Sequence, residues 1–374
     1  MTKTKDLYFE QLNGIRFIAV FLVLLDHWLI PINPFSFLGH LGVVIFFVLS
    51  GFLITRILFQ NADDCRKAQT GISVKVIRFI YRRSLRIFPI YFILLFIGFA
   101  FSLSNFQQFW YYLVFYLPNY YIMSKGTWLG IWDHLWSLAV EEQYYLIFPY
   151  FVLLLSPKKY PWLICMMLLM GIGTRLGFAL LANTDVQEHN WMWWYVNPFS
   201  ALDCFGLGGF LAYVFHYQQA YFQEFRYLLL GLALSLIAYL TVLYLASLAE
   251  FDHANFWSIV FERITAALIA FFLIALSIRN QSWFLSSFLK WNWIAYLGQI
   301  SYGLYLYHNL VMNYYHDKGN TIWYYLNSIL PDFHLEIVNF TILKFIICLV
   351  ILILISSLSW NIIEKPINKY KNRI

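Results

Sequence analysis

Long apolar stretches follow one another along almost the whole chain. A helix needs about 20 apolar residues to cross a hydrocarbon core of ~30 Å. Counted on that basis, spans are predicted near 14–31, 39–60, 87–104, 136–156, 160–182, 198–217, 226–249, 257–280, 293–315 and 338–362. The pattern predicts an all-α polytopic membrane bundle of about ten transmembrane helices.

Too few polar residues are present to solvate a soluble protein of this size. Hydrophobic residues make up 61% of the 374 residues and charged residues only 12%, whereas soluble domains carry about 25% charged residues. No repeat or soluble segment interrupts the spans, so we expect residues 1–374 to form one membrane-embedded domain without an appended soluble domain. The four cysteines include no CxxC pair, and neither a disulfide framework nor a metal site is predicted.

Basic residues are concentrated in alternate loops. With an even number of spans both termini share a side, and that side holds the 61–86 loop, the 365–373 tail and most of the 25 Lys and Arg residues. An excess of positive charge marks the cytoplasmic side, so both termini are predicted to be cytoplasmic. The aromatic stretch 106–117 is too short to cross and is predicted to be interfacial or re-entrant.

The first span contains two ionisable residues, Arg16 and His27, that are costly in hydrocarbon. His27 follows Arg16 by eleven residues, which places it ~16 Å deeper along a helix. It is either a structural histidine bonded to a neighbouring helix or a catalytic one. Asp26 is not its expected partner, because adjacent helical residues point apart.

Two further motifs lie near the cytoplasmic half. Arg82, Arg83 and Arg86 fall on one helical face before the third span, where guanidinium groups suit phosphate oxygens; topology or anionic lipid explains some of them equally well. The run Phe46–Gly51 contains Ser50 beside a glycine, and for this pair alone close helix packing is the favoured explanation.

Two later spans carry polar stripes. Ser137, Glu141 and Tyr144/Tyr145 share a face of the 136–156 span, with Trp136 at its start, and Glu141 lies about 8 Å below the outer boundary. Glu141 and Glu142 are both too costly to face lipid; one is expected to pair with Arg175 or Arg263, and the other is free for chemistry. In the 293–315 span Ser301, Tyr305 and His308 form a polar face, either a hydrogen-bond network or a substrate contact.

Together these positions suggest group transfer through the membrane. A phosphate-bearing donor would anchor at the arginines, and neutral His27 would act as general base on an acceptor hydroxyl, supported by a carboxylate such as Glu141. Acyl transfer from a coenzyme A thioester to a sugar hydroxyl fits this arrangement.

Several motifs, in order along the chain, resemble acyltransferase family 3, the membrane O-acyltransferases of surface glycans that include O-antigen acetylases. They are Leu12–Arg16 with His27, Phe46–Gly51, Arg83–Arg86, Trp136–Ser137 with Glu141–Tyr145, Ile300–Tyr302 with His308, and Ile363–Pro366. The resemblance implies that the family's histidine falls on His27, its paired arginines on Arg83 and Arg86, and its glutamate on Glu141. Asn13 stands where many members have Asp.

The resemblance also implies ten core helices and an acyl-CoA donor, usually acetyl-CoA, that enters from the cytoplasm. The implied acceptor is an envelope glycan, free or lipid-linked, such as lipopolysaccharide O-antigen or exopolysaccharide. The expected location is the bacterial inner membrane, among membrane lipids and with no nucleic-acid partner. Transfer is then completed within the membrane domain or with a partner protein.

Other functions remain open from the sequence. The acceptor could instead be a lipid, an antibiotic or another small molecule. A proton-coupled transporter or export component would use the buried His and Glu as a relay, although the paired broken helices and inverted repeat of such proteins are not evident. A non-enzymatic scaffold for polysaccharide export would not need this buried charge.

Overall fold

The computed structural model describes residues 9–29, 37–68, 71–181, 191–218, 225–248, 255–279, 284–313, 321–329 and 337–372. Throughout these ranges the regular structure is helical. The helices are α1 Gln11–Trp28, α2 Leu38–Ala68, α3 Ile72–Ala100, α4 Phe106–Val114, α5 Pro118–Lys125, α6 Leu135–Leu154, α7 Tyr160–Leu181, α8 191–196, α9 Leu202–Tyr217, α10 Phe225–Ser247, α11 Arg263–Arg279, α12 Phe284–Leu289, α13 Asn292–Gln299, α14 Ser301–Val311, α15 Ile322–Ile329, α16 Ile337–Ser359 and α17 Lys365–Asn368. A π-helical turn, Ser258–Glu262, leads into α11.

Seven helices in the described ranges are long and apolar enough to cross a membrane. They are Leu38–Lys67, Ile72–Ala100, Pro157–Leu180, Phe199–Tyr217, Phe225–Ser247, Ser258–Arg279 and Thr341–Asn368. The all-helical membrane fold is therefore confirmed, whereas the count of ten and the side of the termini stay predictions.

Three predicted spans lie outside this set. Polar residues interrupt two of them, because α1 carries Arg16 and Asp26 and α6 carries Glu141 and Glu142. The predicted 293–315 span divides at Ile300 into α13 and α14, which have only 8 and 11 residues. These helices build the site together with α2 and α3. The aromatic stretch 106–117 forms α4, which at 9 residues is too short to cross.

Close packing of α2 on α9 explains the glycine of the Phe46–Gly51 motif. A Cβ atom on Gly51 would lie 2.5 Å from the backbone oxygen of Phe205. A side chain there would separate the two helices, as is usual where small residues line a membrane helix interface. Packing therefore accounts for Gly51, while the neighbouring Ser50 faces a different contact, described below.

A buried ion pair joins α7 to α9. Arg175 Nη2 lies 2.5 Å from Asp203 Oδ2, and both side chains are fully buried. Arg175 also donates to the backbone oxygen of Ser200, and Arg263 donates to the backbone oxygen of Tyr195. The prediction that one glutamate of α6 pairs with Arg175 or Arg263 was wrong, because these arginines serve the packing of other helices.

Candidate active site

Three adjacent cavities run through the bundle. The first, here called the basic vestibule, has a volume of about 720 Å³ and is lined mainly by Asp63, Asp64, Lys67, Lys75, Arg78, Arg82, Arg83, Arg86 and His216. The second, the neck, has about 100 Å³, and its polar lining residues are Arg16, Ser50, Arg83, Arg86, Ser137, Glu141, Tyr145, Ser301, Tyr302 and Tyr305. The third, the histidine chamber, has about 330 Å³ and includes Asp26, His27, His40, Trp128, Asp133, His134, Trp136, Trp191, Trp194, Tyr195, Glu262, Asn309 and Asn313.

Shared walls connect the three cavities in that order. Arg83 and Arg86 line both the vestibule and the neck. Val43 and Tyr305 line both the neck and the chamber. The vestibule, the neck and the chamber therefore lie next to one another in that order, with the arginines at one end and the histidines at the other.

The length of helix α2 gives the distance between the vestibule and the chamber. It is unbroken from Leu38 to Ala68, with His40 in the chamber wall, Ser50 in the neck and Asp63 in the vestibule. At 1.5 Å per residue, His40 and Asp63 lie roughly 35 Å apart along the helix. This is close to the ~30 Å thickness of a hydrocarbon core, so the vestibule and the chamber are near opposite membrane faces.

The vestibule is basic because the start of α3 meets the ends of α2 and α9. Lys75 pairs with Asp64 at 3.2 Å, and His216 Nε2 lies 2.8 Å from Asp63 Oδ2. The two acidic residues each have a basic partner within the wall. Arg82 is exposed, while Arg83 and Arg86 are partly buried where the vestibule narrows. Such a set of guanidinium and ammonium groups is suited to a ligand with several phosphates.

The neck is organised around Glu141. Ser50 donates its hydroxyl proton to Glu141 Oε1 at 2.9 Å, and Tyr145 donates to Oε2 at 3.0 Å. The Arg83 guanidinium lies 5.5 Å from the centroid of the Tyr145 ring. These contacts fix the carboxylate beside the arginines on the vestibule side. Glu141 is not among the residues that line the histidine chamber.

Asn13 and Arg16 are linked at the start of α1. Arg16 Nη1 donates to Asn13 Oδ1 at 2.7 Å, and Arg16 lines the neck. An aspartate at this position would present the same oxygen with a charge. Asn13 therefore retains a contact with Arg16 even though it departs from the acidic residue expected from the resemblance.

His27 contacts two consecutive residues of α14. Its Nδ1 atom lies 3.2 Å from Nε2 of His308 and 3.3 Å from Oδ1 of Asn309. His308 and Asn309 are fully buried, whereas His27 is partly exposed. The predicted polar face of the 293–315 span thus does reach the depth of His27.

The surrounding hydrogen bonds define which nitrogen of His27 carries the proton. His308 donates from Nδ1 to the backbone oxygen of Tyr305 at 2.6 Å, so neutral His308 can only accept at Nε2. His134 likewise donates from Nε2 to the backbone oxygen of Leu306 and accepts at Nδ1 from the Asn309 amide at 3.0 Å. The Asn309 oxygen then faces His27.

Both of these α14 groups are therefore hydrogen-bond acceptors toward His27. Its Nδ1 carries the proton that they share, so in a neutral ring the lone pair lies on Nε2. This is the tautomer that a general base at Nε2 requires, and the buried carbonyl groups behind His308 and His134 favour it. Among the described residues no group of His, Cys, Asp or Glu side chains is arranged to hold a metal ion.

The remaining predicted site residues lie around the neck and its junction with the chamber. The Ser137 hydroxyl is 2.6 Å from the Tyr305 hydroxyl, and Tyr302 donates to the backbone oxygen of Ile87 at 3.0 Å. Ser301 lines the neck, and Trp136 lines the chamber. Glu142 points away from Glu141 and lines none of the three cavities; its Oε1 is buried with no hydrogen-bond partner among the described residues.

Helical geometry also separates Tyr144 from Tyr145. Tyr145 bonds Glu141, whereas the Tyr144 ring stacks on Phe205 with centroids 4.1 Å apart. Only Tyr145 belongs to the polar stripe of the neck.

Sequence reasoning missed several residues of the chamber, chiefly His134, Asn309, Asp26, His40 and Glu262. Three of them were adjacent to motifs already recognised, because Asp26 precedes His27, Asn309 follows His308 and His134 lies two residues before Trp136. The contact of His40 with Glu262, at 2.7 Å, joins residues 222 positions apart and has no signal in one sequence.

The fold and the site describe a helical protein with spans long enough to cross a membrane, in which a basic cavity, a narrow neck and a cavity lined by histidines lie next to one another. Comparison with known protein families identifies the family to which this chain belongs. A family model described as an acyltransferase domain matches residues 9–360, and the chain belongs to acyltransferase family 3. No solved structure matches it significantly.

Two relatives from Staphylococcus aureus illustrate the similarity. A protein of strain COL, provisionally named an O-acetyltransferase, is 27% identical over 395 residues, which cover 98% of this chain and 59% of the relative. The O-acetyltransferase OatA of strain NCTC 8325 / PS 47 is 25% identical over 386 residues, covering 97% of this chain and 57% of OatA. The chain thus spans less than two thirds of the length of these relatives.

Proposed function

We propose that this protein transfers an acyl group, most simply acetyl, from acyl-CoA at the cytoplasmic side to a hydroxyl of a cell-surface glycan. The observation that carries the proposal is the series of cavities that joins the arginine-lined vestibule to the Nε2 lone pair of His27. Family membership supports the reaction class, and the names of the relatives support oxygen as the acceptor atom and acetyl as the group.

The donor is assigned to the vestibule and the neck. Coenzyme A carries its phosphates at one end and its thioester at the end of a long flexible arm. The vestibule offers room and positive charge for the phosphates, while the neck, at about 100 Å³, admits a chain rather than a nucleotide. Arg83 and Arg86 mark the junction and would bind phosphate oxygens through charge-assisted hydrogen bonds.

The reaction at the chamber follows from the tautomer of His27. Nε2 accepts the proton of the acceptor hydroxyl as its oxygen attacks the thioester carbonyl. The new C–O bond forms, the C–S bond breaks, and the proton on Nε2 passes to the leaving thiolate, so that free coenzyme A and an acyl ester are the products. Proton transfer by a positioned histidine contributes about 10²–10⁴-fold to such a rate.

During this cycle His27 becomes positively charged. His308 Nε2 and Asn309 Oδ1 both accept the hydrogen bond from Nδ1 and would stabilise that charge. Glu141, held by Ser50 and Tyr145 in the neck, would act on the donor side, where Arg83 and Arg86 line the same cavity.

The proposed setting is the bacterial inner membrane. The acceptor is a free or lipid-linked envelope glycan, for which the motif resemblance is the support. The proposal is tested by mass spectrometry of the surface glycan from the source bacterium with the gene deleted, restored, or restored as His27→Ala. An acetyl mass difference that returns only with the unaltered gene is expected. A glycan that is acetylated identically in all three strains, or that is altered only in amount at the surface, would instead favour a transport role.

A further inference from the structure

Two wall residues of the histidine chamber have buried polar atoms without partners. Asp26 is 8% exposed and Trp194 is 1% exposed. Among the described residues, neither Asp26 Oδ1 nor Trp194 Nε1 has a hydrogen-bond partner. Both residues line the same cavity as His27. One atom is a hydrogen-bond acceptor and the other a donor.

Such atoms are unusual in a folded interior. A buried polar group without a partner loses its contacts with water and gains nothing in return, so most buried groups are paired. A carboxylate oxygen and an indole N–H on residues of one cavity wall are complementary to hydroxyl groups, which accept and donate at once.

The rest of the chamber wall is aromatic. The ring centroids of Trp128 and Trp191 are 6.1 Å apart, those of Trp191 and Tyr195 are 5.5 Å apart, and those of Trp128 and Tyr195 are 6.4 Å apart. The three rings meet edge to face, at interplanar angles of 60°, 66° and 83°, and give an angled apolar surface with polar edges. A sugar ring has the matching character, with apolar C–H faces and hydroxyls around its edge.

Arg263 anchors the part of this aromatic wall that belongs to helix α8. Arg263 donates to the backbone oxygen of Tyr195 at 2.6 Å, and its guanidinium lies 5.6 Å from the centroid of the Trp194 ring. The cation therefore occupies the Trp194 face and leaves the indole N–H edge as the polar feature that the residue can offer.

The size of the chamber limits the ligand. At about 330 Å³ it is at the lower end of the range for small-molecule sites, roughly 300–1,000 Å³. It can hold one or two sugar rings but not a long polysaccharide.

We propose that the histidine chamber binds one terminal unit of a polyhydroxyl acceptor, with Asp26 and Trp194 as the residues that select it. The unit stacks on the surface formed by Trp128, Trp191 and Tyr195. Asp26 accepts a hydrogen bond from one hydroxyl, Trp194 donates to another oxygen, and the hydroxyl to be acylated meets Nε2 of His27. This inference rests on the proposed function and adds to it the place and the residues of acceptor recognition.

The test uses the full chain in membrane vesicles from the source bacterium, which contain the native acceptor. Acetyl transfer from radiolabelled acetyl-CoA to glycan is measured as a function of vesicle glycan, together with the acceptor-independent release of coenzyme A. For Asp26→Asn we expect the efficiency of transfer to fall roughly tenfold to a hundredfold, as for loss of a hydrogen bond to a charged group, and for Trp194→Phe roughly two- to tenfold. The loss should fall on the apparent KM for glycan, with KM for acetyl-CoA and acceptor-independent release unchanged.

Thermal unfolding in detergent without acceptor distinguishes recognition from a structural role. Asp26→Asn replaces a buried carboxylate, whose Oδ1 has no partner among the described residues, by a neutral amide of the same shape. Its melting temperature should therefore rise by a few degrees while transfer falls. The matched control is Trp193→Phe, since Trp193 stacks on Phe178 and does not line the chamber; its KM for glycan should equal that of the unaltered protein.

Each outcome has a distinct meaning. Unaltered protein that transfers no acetyl group to glycan overturns the proposed function. Active protein whose KM for glycan is unchanged in both Asp26→Asn and Trp194→Phe overturns only the acceptor site. If Asp26→Asn fails to fold, the Trp194→Phe and Trp193→Phe pair decides the same question.

Discussion

The basic vestibule and the histidine chamber lie at opposite ends of α2 and differ in how they are built. The vestibule contains charged side chains, several of them exposed, that meet a ligand through charge. The chamber is centred on histidine rings and an amide that buried carbonyl groups hold in place, with Asp26, Asp133 and Glu262 also in its wall. The first arrangement tolerates changes of position, because Coulomb attraction falls slowly with distance. The second depends on the direction of single hydrogen bonds.

The comparison predicts the ranking of mutational effects. Changes in the chamber should act on the chemical step and be large. Changes in the vestibule should act on donor affinity, be moderate and depend on ionic strength. Removing one of the hydrogen bonds that fix Glu141 in the neck should act mainly on stability and least on catalysis.

The largest effect is expected for His27→Ala. Without the Nε2 lone pair no described residue of the chamber can take the hydroxyl proton in the same position, and kcat should fall by about 10²–10⁴-fold. The measurement is acetyl transfer at saturating acetyl-CoA, with membrane insertion checked by fractionation. Transfer at the unaltered rate by correctly inserted protein would remove His27 from the mechanism.

A smaller but diagnostic effect is expected for Asn309→Ala. The amide accepts from His27 and donates to His134. Without it, Nδ1 of His27 loses one of the acceptors that keep its proton there, and His134 Nδ1 loses its donor. We expect kcat to fall roughly tenfold to a hundredfold, with KM for acetyl-CoA unchanged. A change in KM alone would contradict the role of Asn309 in orienting the base.

The next largest effects are expected in the vestibule. Arg83→Ala and Arg86→Ala should each raise KM for acetyl-CoA by about tenfold, because a charge-assisted hydrogen bond is worth about 1.5–3 kcal/mol before screening. Arg82 is exposed and lines only the vestibule, so Arg82→Ala should raise KM less. All three effects should shrink at high salt, as the Debye length falls from ~10 Å at 0.1 M to ~3 Å at 1 M. An unchanged KM for the Arg83 and Arg86 variants would place the donor elsewhere.

The smallest effect on catalysis is expected for Ser50→Ala. Glu141 then keeps its bond from Tyr145 but loses the one from Ser50, and the stability of the protein should fall by about 1–3 kcal/mol. The melting temperature in detergent and kcat are measured together. A loss of kcat as large as that of His27→Ala, with no loss of stability, would show that Ser50 takes part in the chemistry.

The sequence predicted the membrane class and many residues of the site, because burying charge in lipid is costly enough to make each buried Arg, Glu and His conspicuous. It did not predict which of these residues lie in the vestibule, which in the neck and which in the chamber. Glu141 was expected to support His27, yet it lies in the neck with Ser50 and Tyr145. The rotation of a helix about its own axis decides which cavity each of its side chains lines. That rotation is set by packing against neighbouring helices, such as the contact of Gly51 with Phe205, and it cannot be read from a single sequence.

The chamber itself was the hardest part to foresee. Its polar residues come from α1, α2, α14, the turn before α6 and the π-helical turn before α11. His40 and Glu262 have ordinary surroundings in the sequence and acquire meaning only from their contact. Asp26 was not the expected partner of His27, and its own place in the site is visible only once the cavity is known.

The most direct test of a reaction that joins opposite membrane faces uses proteoliposomes with all molecules in one orientation. Radiolabelled acetyl-CoA is supplied only at the face with the vestibule, and the glycan acceptor is enclosed at the face with the chamber. We expect labelled ester on the enclosed glycan and free coenzyme A on the side where it was supplied, with neither product from His27→Ala protein. Label that appears only on glycan placed on the same side as acetyl-CoA would contradict transfer through the neck.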